Sequence, residues 1–568
     1  MHDVVIRGGT LVDGTGTAPR RGDLALAGDR IVAVGSVEGS GRREIDADGL
    51  LVTPGFVDVH THYDGQATWD SELAPSCWHG VTTAVMGNCG VGFAPASPDK
   101  HDWLIGLMEG VEDIPGTALA EGLKWDWESF PEYLDALERV PHTLDIAAQF
   151  PHGALRAYVM DERGADHREV PTEAEIAEMA RLVREGIEAG ALGFTTSRTR
   201  NHRTVDGEPT PSLTATAPEL WGIARALGEA GKGVFEIVCD FTDLEEEFAL
   251  IREMSVQSGR LVSISLVQTD ADPDQWRRLL ELMEAANREG ATLRGQVAPR
   301  PIGVIMGLES TLHPFVMHPA YREVADLPLE ARVAALRDPA RRKRLCQEDR
   351  GEGPSGVLGP WERLFAFRDP PDYEPDPSTS IASRARDAGV SPTELALDTL
   401  LGEDGRAQVY WPVLNYNAGN SDVSREMLLH PLTVPGLGDG GAHVSFISDA
   451  SFPTYLLTHW ARDRRRGEGL PLEWLVKRQT RDTAELVGLR DRGLLVPGLR
   501  ADVNLIDFDA LRVLRPDMQY DLPAGGKRLV QRAEGYRMTF VAGEAIQEDG
   551  ETTGALPGKL VRGAQEAS

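Results

Sequence analysis

The segment Pro54-Gly55-Phe56-Val57-Asp58-Val59-His60-Thr61-His62-Tyr63-Asp64 constrains this chain more than any other, because an apolar run of strand character ends in two histidines one residue apart. Side chains at i and i+2 of a strand share a face, so His60 and His62 can grip one metal ion together. Neutral imidazole is the commonest protein ligand for zinc, iron and nickel, and a strand end fixes the angle between two such rings. The pair reads as half a metal site. Two polar histidines ending a strand, with no metal, are the plainer alternative.

At 568 residues, 41% of them apolar, the chain can bury an ample core and suggests more than one structural unit. No run approaches the roughly 18 apolar residues of a membrane helix. Met1-His2-Asp3-Val4 lacks a signal-peptide pattern, so a cytoplasmic protein with no membrane partner is expected. The four cysteines, Cys77, Cys89, Cys239 and Cys346, contain no C-x-x-C pair, which points to reduced thiols rather than a disulfide framework or zinc ribbon. A net charge of −31 argues against a nucleic-acid partner, which needs a basic footprint. Two local basic runs, Arg341-Arg342-Lys343-Arg344 and Arg462-Asp463-Arg464-Arg465-Arg466, can meet phosphates of a small anionic substrate or form solvated helix faces.

The first 53 residues alternate short apolar runs with Gly and Asp turns, a strand-turn-strand pattern. Beyond His62, apolar strands alternate with charged amphipathic helices. The spacing predicts strands at 143–148, 192–196, 234–238, 261–267, 293–297 and 434–437, with helices at 173–189 and 220–231. Strand, helix, strand at this spacing builds a parallel sheet that closes into a barrel if repeated far enough. From about 305 to 405 the sequence is helical, proline-rich and irregular, which suggests a lid or substrate wall.

Val4-Val5-Ile6-Arg7-Gly8-Gly9-Thr10-Leu11-Val12-Asp13-Gly14, the P-G-F-V-D-V-H-T-H block, Gly80-Val81-Thr82-Thr83 and Pro497-Gly498-Leu499-Arg500-Ala501-Asp502-Val503-Asn504-Leu505 resemble the amidohydrolase superfamily. Within it, Met86-Gly87-Asn88-Cys89-Gly90-Val91 is similar to the N-acyl-D-amino-acid deacylase branch. The likeness runs over nearly the whole chain apart from the region near 305–405. It implies an α/β fold, a TIM-like (β/α)8 barrel with metal at its C-terminal mouth and a small composite β domain from both chain ends. On that pattern residues 1–53 and 485–568 build the β domain and residues 54–484 the barrel.

The resemblance also assigns site residues. Asp439, in Gly438-Asp439-Gly440-Gly441-Ala442-His443, matches the family's last-strand aspartate, a metal ligand or proton acceptor. Cys89 stands where the deacylases have a metal-binding cysteine, although a small buried thiol fits as well. His152, in a segment similar to the deacylases' G-H-x-x-L-R, is expected at the barrel mouth as a catalytic residue, supporting the ligands from behind, contacting substrate, or ligating the metal directly. His202 lies on a loop after the fourth strand, where a solvent-exposed residue fits equally, and Asp64 continues the His60, His62 alternation or is a plain cap or turn residue. The fifth and sixth strands depart from the pattern. The deacylases' histidines are absent there, Glu236 and Gln268 being the polar groups left, and no lysine lies on the strand at 190–196. A carboxylate inside a barrel is costly unless paired or metal-bound, which makes Glu236 a ligand candidate beside His60, His62 and Asp439.

Loss of those histidines, together with Gly233-Val234-Phe235, Gly295-Gln296-Val297-Ala298-Pro299-Arg300-Pro301-Ile302-Gly303, Gly438 to Val444 and Asp449-Ala450-Ser451-Phe452-Pro453-Thr454-Tyr455, resembles a divergent group of the superfamily. Its reference point is the nonheme diiron monooxygenase of platensimycin and platencin biosynthesis. That resemblance implies two iron ions, dioxygen as co-substrate, an electron donor and a small-molecule acyl-CoA-type substrate: His60, His62 and Asp439 would supply one iron's core, Glu236, Asp64, His152 or His443 would complete the second, and His443 could instead orient Asp439. The alternative is a deacylase-like amidohydrolase that cleaves an amide with zinc. A homo-oligomer is compatible with either.

Overall fold

The computed structural model describes residues 1–347 and 359–563; residues 348–358, inside the irregular region near 305–405, and 564–568 lie outside the described residues. A nine-stranded sheet joins the two ends of the chain. Its N-terminal strands include His2–Leu11, Arg20–Ala27 and Leu51–Pro54, and its C-terminal strands include Val503–Ile506 and Tyr536–Val541. Leu51–Pro54 runs antiparallel to Val503–Ile506, with Val503 opposite Pro54 and Ile506 opposite Leu51. Ile6, Leu24, Leu26, Val52, Val503 and Leu505 form its buried face, which is why short apolar runs from both ends are needed.

The barrel strands are β1 Phe56–Asp58, β2 Val81–Met86, β3 Asp145–Ala148, β4 Gly193–Arg198, β5 Val234–Cys239, β6 Val262–Ser265, β7 Leu293–Val297 and β8 Thr433–Pro435. Neighbours pair in parallel from β1 to β3 and from β4 to β8. After Gln149 the chain continues as Phe150–Pro151, which pairs with β4 and so bridges the two sheets. Past Asp58 the first strand runs on in extended form. Thr61 bridges Gly440 in parallel, and the His62 N–H donates to the Gly440 carbonyl at 2.7 Å, which closes the barrel.

Helices that position the site include α1 His101–Glu112 and, outside the sheet, α2 Glu173–Ala189, α3 Ala217–Ala230, α4 Leu244–Ser258 and α5 Gln275–Arg288, and a short helix, His152–Met160, follows Phe150–Pro151. Thr172 with Glu175 and Thr216 with Glu219 form capping boxes that start α2 and α3, and each helix stops at a glycine, Gly190 or Gly231. In α5 the residues Trp276, Leu279, Leu280, Met283 and Ala286 are buried, the stripe of a helix lying on a sheet.

Between β7 and β8 the chain builds a separate apolar cluster around Met306, Phe315, Leu336, Leu364, Leu397 and Val409. A three-stranded sheet, Gly303–Met306, Phe365–Phe367 and Gln408–Pro412, anchors it. The two basic runs are structural here. Arg341 and Arg344 pair with Glu323, Arg342 with Asp398, and Arg464 with Glu374 and Asp422. Among the described residues no helix is long and apolar enough to cross a membrane.

Candidate metal centre

His60 and His62 stand at the mouth end of the first strand, both almost wholly buried. The His60 N–H donates to Asp58 Oδ1 at 3.1 Å, and His60 Nδ1 lies 2.9 Å from Gln296 Oε1 on β7. Gln296 in turn donates from Nε2 to Ser263 Oγ at 3.0 Å. Because Gln296 offers His60 an acceptor, the ring proton belongs on Nδ1 and the Nε2 lone pair is free. That nitrogen faces Cys89 Sγ at 3.4 Å and Asp439 Oδ1 at 3.4 Å. His62 Nε2 is 3.8 Å from the same Asp439 oxygen.

These separations suit a metal. Bonds of about 2.0–2.3 Å in a tetrahedral site place neighbouring donors about 3.3–3.7 Å apart. The donors of His60, His62 and Cys89 also lie within 4.8 Å of one another, and all three residues are buried. Nitrogen, sulfur and oxygen donors together fit zinc well. The backbone is strained to present them: Cys89, Asp439 and His443 hold left-handed φ values of 55°, 48° and 48°. For residues other than glycine, such strain concentrates at functional sites.

Carboxylates crowd this centre. Glu236 accepts the Cys89 N–H at 2.9 Å and the Ser265 hydroxyl at 3.2 Å. Asp64 accepts the Gly87 N–H at 3.1 Å and so braces the turn that carries Cys89. Burial pushes the Asp64 carboxyl up to about 7 and raises that of Glu236. Burial, reinforced by Asp439, Asp64 and Glu236, holds Glu112 well above the ordinary range. Burial alone would raise Asp439 too, but His62, His60 and His443 outweigh it and keep that carboxylate ionised. The imidazole of His62, pushed down to about 4 chiefly by burial, stays neutral and able to ligate. Acids packed this closely call for a cation.

The residues singled out in the sequence separate into two groups. His60, His62, Cys89, Glu236 and Asp439 converge. His443 lies beside them, with Nε2 3.6 Å from Glu112 Oε2, and His202, hydrogen-bonded to Ser197 Oγ at 3.0 Å, is pushed down to about 3 chiefly by burial. His152 does not join. Its Nδ1 meets Thr196 Oγ1 at 2.8 Å and its Nε2 meets Glu219 Oε1 at 3.0 Å, so neither ring nitrogen is free for substrate or metal. The reason is Arg156, four residues on along the same helix, whose 2.6 and 2.7 Å bonds fix Glu219 against that ring. Gln268 is likewise engaged, donating to the Pro273 carbonyl at 3.0 Å. Sequence reasoning missed Glu112, the last residue of α1, whose Oε1 lies 3.4 Å from His62 Nδ1.

Comparison with known proteins bears on this centre. The model of the amidohydrolase family matches residues 43–547. An uncharacterized protein of Mycobacterium tuberculosis is 31% identical over 541 residues, 89% of this chain and 84% of its own. From Alcaligenes xylosoxydans xylosoxydans, N-acyl-D-aspartate deacylase is 27% identical over 566 residues, 98% of this chain and 95% of its own. D-aminoacylase from the same organism is 34% identical over 291 residues, 50% of this chain and 54% of its own. Among solved structures, a D-aminoacylase described as defining a novel subset of amidohydrolases superposes with a TM-score of 0.65 at 24% identity, covering all of both chains. The N-acyl-D-glutamate deacylase of Bordetella bronchiseptica, solved with zinc and a phosphonate inhibitor, gives 0.62 at 24% identity over 99% of each chain. These structures share the fold, a barrel with an attached β domain, and the chain belongs to the amidohydrolase family.

Proposed function

We propose that this chain hydrolyses an amide bond of an N-acylated amino acid or a close analogue, with a divalent metal, zinc by preference, held by His60, His62, Cys89 and Asp439. Glu236 is the proposed donor to a second ion beside it. The observation that carries the reading is the spacing of His60 Nε2, Cys89 Sγ and Asp439 Oδ1, two edges of 3.4 Å about one point. The deacylase relatives support the choice of amide over other bonds.

When bound, the ion lowers the pKa of water and polarises the amide carbonyl. Asp439 takes a proton from the attacking water as the carbon–oxygen bond forms, and returns it to the nitrogen as the carbon–nitrogen bond breaks. Gln296 fixes His60 through Nδ1 at 2.9 Å. The buried surroundings exclude bulk water and strengthen each polar contact.

An iron-dependent oxygenase acting on an acyl-CoA is the second interpretation. Glu236 and its hydroxyl partner Ser265, on strands where the deacylases carry histidines, give an oxygen-rich half-site that suits iron. The hydrolase relatives favour the deacylase alternative over it, and neither the acyl-CoA substrate nor the electron donor has support from them.

The test is incubation of zinc- and iron-loaded protein with N-acyl-D-amino acids, their L counterparts and acyl-CoA esters, with and without oxygen. Amine and carboxylic acid released without oxygen, and abolished by a chelator, is the expected result. Oxygen-dependent gain of one oxygen atom by an intact acyl-CoA, with no amide cleaved, would replace this reading by the oxygenase.

A further inference from the structure

Glu112 occupies an unfavourable place for a carboxylate. It is buried at the C-terminal end of α1, where the helix dipole repels negative charge, and it lies within the field of three further acids, Asp439, Asp64 and Glu236. A residue kept against both penalties serves the site rather than the fold.

Its contacts say how. Oε1 lies 3.4 Å from His62 Nδ1, and Oε2 lies 3.6 Å from His443 Nε2. The Glu112 carbonyl accepts the His443 N–H. The next residue, Asp113, turns with a left-handed φ of 51° and accepts the Ser445 N–H at 3.3 Å. The end of α1 is thereby locked to the loop that follows Asp439. The helix is held from its other side as well: Val205 N–H donates to the Gly106 carbonyl at 3.0 Å, and a Cβ at Gly110 would sit 2.1 Å from the Thr204 carbonyl carbon. His62 Nδ1 is buried and makes no hydrogen bond, with Glu112 Oε1 facing it at 3.4 Å, while its Nε2 faces Asp439.

We propose that Glu112 is a positioning residue for the metal centre: it holds the His62 proton on Nδ1, presents the Nε2 lone pair to the ion, and registers His443 against the same carboxylate. Metal-bound histidines commonly use a carboxylate on the far nitrogen in this way, and losing it costs about 10- to 100-fold in metal affinity. The inference rests on the metal-centre reading above and is independent of which bond the enzyme breaks.

Zinc affinity by chelator competition and the visible spectrum of the cobalt-substituted protein test it without recourse to turnover. Glu112→Ala should weaken zinc by about 10- to 100-fold and alter the cobalt spectrum. Glu112→Gln keeps an oxygen to accept from Nδ1 and should stay close to the parent protein. Glu112→Asp, one methylene shorter, should fall toward the alanine variant, and it carries the test if alanine prevents folding. Unchanged affinity and spectrum in Glu112→Asp and Glu112→Ala overturn the proposal, as does a glutamine variant as weak as alanine, which would make charge and not orientation the contribution. His60→Ala separates the two readings. If it too leaves zinc affinity unchanged, the metal centre itself fails; if it abolishes binding while the Glu112 variants do not, only this inference fails.

Discussion

The amide N–H of Asp439 donates to the carbonyl of His60 at 3.0 Å, and on the same two residues Oδ1 stands 3.4 Å from Nε2. Closure of the first barrel strand on the last therefore sets the backbone register and the metal-facing donors in one step. Two residues remote in sequence become neighbours because the strands carrying them are adjacent in the ring.

Removing a donor from this junction should be read first in metal content. His60→Ala, His62→Ala and Asp439→Ala each delete a metal-facing donor. We expect each to lose metal affinity by about 100-fold or more, with turnover falling in step. Elemental analysis after dialysis against a weak chelator measures the first, and full occupancy in the His60→Ala/His62→Ala double variant would refute the assignment.

Glu236 is tested by stoichiometry. Its two oxygens already accept from the Cys89 N–H and the Ser265 hydroxyl, at 2.9 and 3.2 Å, so glutamine can keep one of these bonds and hold the fold. Glu236→Gln should reduce bound metal from two ions to one. Unchanged stoichiometry with a lowered melting temperature would assign Glu236 to bracing the Cys89 turn alone.

Much of this centre was legible because local spacing encodes it. An apolar strand ending in H-x-H puts both rings on one face, and Asp439 follows an apolar run inside a recognisable G-D-G-G. The strand at 234–238 was readable because parallel strands buried on both faces are near-continuous apolar runs, broken here only by Glu236. Glu112 was not legible: it ends a helix outside the alternating pattern, and an acid between Glu109 and Asp113 looks like part of a solvated helix end. His152 misled for the opposite reason. It follows β3 as expected, but the helix it starts places Arg156 on the same face, and the Glu219 they share captures the ring. Side-chain capture of that kind depends on a capping residue on α3, which spacing around His152 does not show.

Asp145 offers a test of stability apart from chemistry. At the start of β3, the end remote from the metal centre, it accepts Arg492 Nη1 at 2.7 Å, Arg500 Nη2 at 2.8 Å and the Lys559 N–H at 2.9 Å, joining the barrel to the β domain. Asp145→Ala leaves buried guanidinium groups short of a partner, which costs about 3–5 kcal/mol. Denaturant unfolding should show that loss, while zinc affinity stays within a few-fold of the parent. A large drop in zinc affinity at unchanged stability would contradict the separation of roles between the two barrel ends.

The last prediction concerns acid. Glu374, in the segment between β7 and β8, accepts from Arg464 at 3.1 and 3.2 Å and from the Ser421 N–H at 2.7 Å, and His459 Nε2 lies 3.1 Å away. Burial would raise its carboxyl, but these donors prevail and hold it at about 2, against an ordinary 4.5. A carboxyl depressed on folding contributes stability that is fully present above its unfolded value and is lost as pH falls through the folded one. The contribution of Glu374 should therefore be intact at neutral pH and disappear between pH 4.5 and about 2. Glu374→Gln removes both the ion pairs and the titration. Its unfolding midpoint should lie below the parent's at neutral pH, and the difference should shrink as the pH drops through that window. A gap that stays constant down to pH 2 would show that Glu374 acts through packing, not charge.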